Sequence, residues 1–183
     1  MKKTLVISLI SLIFLSSCSL FTKDKVKGPI TDGLTPKALY ELAQEKQDDG
    51  STNKAIEHLE TIIAAYPGSK YSIQARLDIA YYLFKLKEYT RALLELNSFI
   101  DLYPAHPTTP YAYYLRGAIA EEQSSSILDE IVTDSAQRDV QSVRDAYSYY
   151  KLLIDTFPAS KYSEEAKNKL IKLKNILARH ELY

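Results

Sequence analysis

Apolar residues along this chain recur with a helical period, and they do so in units that themselves repeat. From Ala55, Ala92 and Ala146, apolar side chains follow four, seven and eight residues later: Leu59, Ile62 and Ile63; Leu96, Phe99 and Ile100; Tyr150, Leu153 and Ile154. That spacing is one face of an amphipathic α-helix. Each alanine stands 12 residues before a proline, at Pro67, Pro104 and Pro158, and each proline follows an aromatic residue. Such a pair ends a helix, because proline lacks the N–H and disfavours helical geometry in the residue before it. The stretch Tyr66-Pro67-Gly68-Ser69-Lys70-Tyr71-Ser72 returns as Phe157-Pro158-Ala159-Ser160-Lys161-Tyr162-Ser163, with a looser copy from Tyr103 to Thr109. Every copy predicts helix, tight turn, helix.

The Ser or Thr five residues after each proline is placed to cap the next helix. With Thr35 ahead of them, the predicted caps are Thr35, Ser72, Thr109 and Ser163, the first three spaced by 37 residues. Thr35 and Thr109 are each followed by proline, which is well tolerated at the first helical position. Eight residues past the first three caps stand Ala43, Ala80 and Gly117. Small side chains at one fixed place predict close approach of the paired helix. In the third unit Gly117 and Ala146 are 29 residues apart, so 17 extra residues lie between Gln123 and Val143. The polar run from Ser124 to Asp134 predicts a loop there. The predicted units are 35–71, 72–108, 109–162 with the insertion at 127–143, and 163–183. In the last, Leu170, Leu173 and Leu177 form an apolar stripe, with Lys167, Lys169, Lys172 and Lys174 largely off it. This helix serves either as a polar-backed cap or as the first half of a further repeat.

Composition narrows the function. The 183-residue chain has 23 basic and 23 acidic side chains, without the basic excess that phosphate binding requires. His58, His106 and His180 fall in different units with no nearby cysteine or helical histidine pair, so metal-ligand spacing is absent. No glycine-rich phosphate loop or nucleophile elbow occurs. No cofactor, metal or catalytic residue is predicted, and the reading is a binding protein. Fifteen tyrosines against no tryptophan supply its candidate chemistry.

Residues 1–17 read as a signal peptide: Lys2 and Lys3, an apolar run from Thr4 to Phe14 too short to span a bilayer, then small residues. Leu15-Ser16-Ser17-Cys18 resembles a bacterial lipobox, which predicts Cys18 as the acylated first residue of the mature chain. It is the only cysteine, so no internal disulfide is expected. Residues 18–34, with Gly28-Pro29 and Asp32-Gly33, read as a tether. Ser19 follows the cysteine where an Asp would retain a lipoprotein at the inner membrane, so the expected location is the outer membrane, facing the periplasm.

The order small residue, alanine 12 later, proline 12 after that resembles the tetratricopeptide repeat, and Gly50 at the turn and Tyr89 before Ala92 fit it. The period exceeds the usual ~34 residues, and Lys46 and Arg76 replace larger apolar residues. The resemblance implies an all-α solenoid of about three helix-turn-helix repeats plus a terminal helix over 35–183, with the first helices lining a concave groove. The lipobox, Leu77-Asp78-Ile79-Ala80-Tyr81-Tyr82, Pro104-Ala105-His106-Pro107, Tyr114-Leu115-Arg116-Gly117, the single insertion, Arg138-Asp139 and Phe157 to Tyr162 together resemble the BamD family. These are tetratricopeptide-repeat lipoproteins of the outer-membrane β-barrel assembly machinery. Val140 stands where that family often has proline, and the family continues for about two more repeats, which carry its channel-subunit contacts. The resemblance implies a non-enzymatic assembly factor. Its implied partners are the β-barrel channel subunit, other subunits of the machinery, the C-termini of unfolded outer-membrane proteins and, through the lipid, the membrane; neither nucleic acid nor a small-molecule substrate is implied. In this repeat type the groove falls to Tyr40, Gln44, Leu77, Tyr81, Phe84, Tyr111 and Tyr114. A second reading is a periplasmic scaffold that organises peptidoglycan or cell-division proteins through the same groove.

Overall fold

A computed structural model describes residues 31–128 and 135–180. The signal peptide, Cys18 and most of the tether therefore lie outside the described residues, as does the end of the chain from Glu181. The described chain is helical: α1 (Pro36–Asp48), α2 (Thr52–Ala65), α3 (Lys70–Lys85), α4 (Tyr89–Leu102), α5 (Thr109–Leu128), α6 (Ser135–Thr156) and α7 (Lys161–His180).

The helix starts correct the sequence reading. Thr35 caps α1 as expected, its Oγ1 accepting from the N–H of Ala38 at 3.2 Å. The cap of α3, however, is Ser69, whose Oγ accepts from the N–H of Ser72 at 3.0 Å. At α7 the Oγ of Ser160 accepts from the N–H of Tyr162 at 3.3 Å. Ser72 and Ser163 lie inside their helices and Thr109 is the first residue of its own, and all three are fully buried. Their hydroxyls donate backward to the turn: Ser72 to the Pro67 carbonyl at 2.8 Å, Thr109 to Tyr103 at 2.5 Å and Ser163 to Phe157 at 2.6 Å. The physical reason is the tightness of the turn. It leaves a turn carbonyl that needs a donor, and the buried hydroxyl lies within reach of it. In the looser middle turn, His106 Nδ1 lies 2.8 Å from Thr108 Oγ1.

The turns inside the first two repeats are copies 37 residues apart. Ser51 N–H donates to Lys46 and Glu88 N–H to Leu83, at 2.8 and 2.9 Å. The closure needs a left-handed residue, which is Gly50 in one (φ 75°) and Lys87 in the other (φ 62°).

Each helix packs on its neighbours in sequence. The first helices of the repeats, α1, α3, α5 and α7, also touch one another in order, whereas α2, α4 and α6 do not. The stack therefore curves with its first helices on the inside. Ala43, Ala80, Ala55, Ala92 and Ala146 are buried, as are Leu59, Ile62, Leu96, Phe99, Ile100, Tyr150 and Leu153. At Gly117 the helices approach so closely that a Cβ would meet the Tyr150 ring at 2.5–2.8 Å. Leu173 is buried, and Leu170 and Leu177 pack beside it.

The insertion is helical at both of its described ends, so the polar run predicted as a loop from Ser124 is helix as far as Leu128. It continues α5 to Leu128 and begins α6 at Ser135, leaving 129–134 outside the described residues. Once a helix is nucleated, each added residue gains a backbone hydrogen bond. The Ala136-Gln137-Arg138 run consists of good helix formers, so the described part of the extra length lies in the two helices.

Candidate functional site: the inner aromatic wall

Because the first helices face inward, their exposed edges form one wall. At the α1–α3 seam, Tyr40 and Tyr71 pack ring to ring at 5.5 Å, and Tyr40 Oη donates to Asp78 Oδ2 at 2.6 Å. Gln74 Nε2 donates to the other oxygen of Asp78 at 2.8 Å. At the α5–α7 seam the arrangement recurs: Tyr114 packs on Tyr162 at 5.6 Å and donates to Glu165. Lys70 and Lys161, the matching residues of the duplicated turn, sit over the rings of Tyr71 and Tyr162 at 5.2 and 4.9 Å. Tyr111 joins the seams, packing on Tyr162 at 5.3 Å and lying within electrostatic reach of Asp78.

Burial sets the protonation of this wall. It pushes the Tyr111 phenol up to about 12. Tyr40 and Tyr114 are raised further, first by burial and then by hydrogen bonding to Asp78 and Glu165. The phenols therefore remain neutral donors with electron-rich faces. Burial also raises the Asp78 carboxyl, partly offset by the hydrogen bonds from Tyr40 and Gln74.

Of the residues the sequence assigned to the groove, Tyr40, Tyr111 and Tyr114 lie half-buried in this wall and Tyr81 is 39% exposed. Gln44 is exposed one turn along from Tyr40. Leu77 is the correction: it is 2% exposed and belongs to the core. A wholly apolar side chain gains by sinking where tyrosine keeps its hydroxyl near a polar partner. Phe84 is half-buried but packs across the turn on Tyr89 at 6.2 Å, in a cleft with Lys85, Lys87 and Glu122. Missing from the sequence list were Tyr71, Asp78, Tyr162 and Glu165. Tyr71 and Tyr162 stand inside the duplicated turn and Asp78 within the motif from Leu77 to Tyr82, but no spacing marks them, or Glu165, as part of the wall.

Below the wall, Tyr150 Oη donates to Glu121 at 3.0 Å, and Lys169 pairs with the same carboxylate at 2.9 Å. This ties α5, α6 and α7 together. Arg116 stacks on Tyr149 with its guanidinium carbon 4.2 Å from the ring centre.

Curvature and an aromatic inner face define a tetratricopeptide-type solenoid. Solved structures agree on the fold: the first such domain of Spaghetti (RPAP3) with an HSP90 peptide superposes with a TM-score of 0.53 at 20% identity, covering 78% of this chain and 93% of that one. The first tetratricopeptide-repeat domain of human RPAP3 gives 0.53 at 21%, covering 80% and 94%. The chain belongs to the YfiO family of outer membrane lipoproteins, whose model matches residues 32–183. Among its relatives is the outer membrane protein assembly factor BamD of Neisseria gonorrhoeae, 31% identical over 183 residues, which are all of this chain and 68% of that protein. BamD of Haemophilus influenzae is 34% identical over 166 residues, 90% of this chain and 61% of its own.

Proposed function

We propose that this chain is an outer-membrane protein assembly factor that holds segments of unfolded β-barrel proteins on its inner wall. The observation that carries the reading is the family match over residues 32–183, and the wall supplies a chemistry for it. Neutral phenols and ring faces can stack on the aromatic side chains of an extended segment and hydrogen-bond its backbone. Acylated Cys18 anchors the chain to the outer membrane from the periplasmic side. Its further partners are the β-barrel channel subunit and the other subunits of the assembly machinery.

Purification of the intact lipoprotein from cells in mild detergent tests this. The assembly subunits and β-barrel precursors are expected with it. Recovery of cell-wall or division enzymes in their place would favour a periplasmic envelope scaffold and overturn the proposal. Cys18→Ser should move the chain from the membrane to the soluble periplasmic fraction.

A further inference from the structure

We infer that Asp78 is the floor of a cation subsite on the inner wall, which takes an arginine side chain of the bound polypeptide. The inference rests on the proposed role of that wall and adds a specificity to it. Asp78 is half-buried, and its two oxygens accept from Tyr40 and Gln74 at 2.6 and 2.8 Å. Both donors are neutral. No Lys, Arg or His among the described residues forms an ion pair with it. Glu121 on the next first helix has Lys169, and the nearby Lys70 is committed to the Tyr71 ring. A carboxylate taken out of water without a counter-charge is costly, and burial does raise this carboxyl.

What surrounds Asp78 suits a visiting cation. Tyr40 touches it, and Tyr82 and Tyr111 lie within reach of its charge. Tyr81 packs beside Tyr82 with ring centres 6.1 Å apart and is the most exposed member of the group. Tyrosine faces attract a cation. Each oxygen of Asp78 has accepted one hydrogen bond and keeps a lone pair, so a planar guanidinium can donate to both while lying against a ring. A terminal carboxylate would be repelled here. The subsite therefore selects an arginine within the bound segment over its free end.

The test is fluorescence anisotropy of the full lipoprotein in detergent with a labelled ten-residue peptide of alternating Tyr and Thr carrying one central Arg. A second peptide has citrulline at that position, which keeps the shape without the charge. Wild type should bind the arginine peptide about tenfold more tightly, as expected for a partly desolvated charge pair with ring contacts. Asp78→Asn should remove that preference by weakening the arginine peptide alone. Survival of the preference in the variant, or equal tight binding of both peptides to wild type, would overturn the subsite and leave the groove standing. Binding of neither peptide would remove both.

Discussion

The two halves of the solenoid solve one packing problem differently. In the first two repeats the first helix carries an alanine and the second a leucine at matching positions, Ala43 and Leu59, Ala80 and Leu96, all buried in a core whose fully buried members are aliphatic apart from Phe99. In the third repeat the corresponding pair is Gly117 and Tyr150, and the ring lies where a glycine Cβ would be. Replacing leucine with tyrosine brings in a hydroxyl, which needs a buried acceptor. Glu121 accepts it, and Lys169 of α7 balances that charge. The aliphatic half depends on filled volume. The tyrosine half depends on linked contacts across three helices, α5, α6 and α7.

The largest expected effect is in the aliphatic half, where Leu96→Ala leaves a cavity and should cost about 2–5 kcal/mol in chemical denaturation. No nearby substitution should rescue it. Gly117→Ala forces a methyl into the Tyr150 ring and should cost about 2 kcal/mol, since overpacking outweighs the ~1 kcal/mol gain in helix propensity. Here rescue is expected: adding Tyr150→Leu recreates the pairing of the earlier repeats and should recover most of the loss. Additive single effects in that double-mutant cycle would show that the two sites are not coupled. Tyr150→Phe keeps the ring but removes a donor to a carboxylate, for about 1–2 kcal/mol. Smallest are Ser72→Ala and Ser163→Ala, about 1 kcal/mol each. If those hydroxyls are braces and not caps, Ser69→Ala and Ser160→Ala should add independent losses of similar size.

The repeat frame was legible because periodicity, the aromatic-Pro turns and the small residues all report helix packing, which depends on local spacing. Gly117 was legible as small, but why it must be glycine was not. That depends on Tyr150 taking a leucine position 33 residues later. Thr35 was legible as a cap, but the roles of Ser72, Thr109 and Ser163 were not, because a hydroxyl can serve a helix N–H or a turn carbonyl and only the folded turn decides between them. The described ends of the insertion were not legible as helix because polarity signals exposure, and an exposed helix is as polar as a loop. Half of the wall was visible as a tyrosine stripe. Leu77 was included by register alone, and Asp78 and Glu165 were absent because long-range acceptors leave no trace in spacing. The signal peptide and Cys18 are read from sequence alone.

The central claim is that the inner wall, and not the outer helices, meets the unfolded outer-membrane protein. A photo-crosslinking residue placed in cells at Tyr81, on the wall and 39% exposed, can be compared with one at Leu94 on α4, which is 63% exposed. The account predicts adducts to outer-membrane proteins from position 81 and few or none from position 94, despite its greater exposure. Equal capture at both positions, or capture at 94 alone, would contradict it.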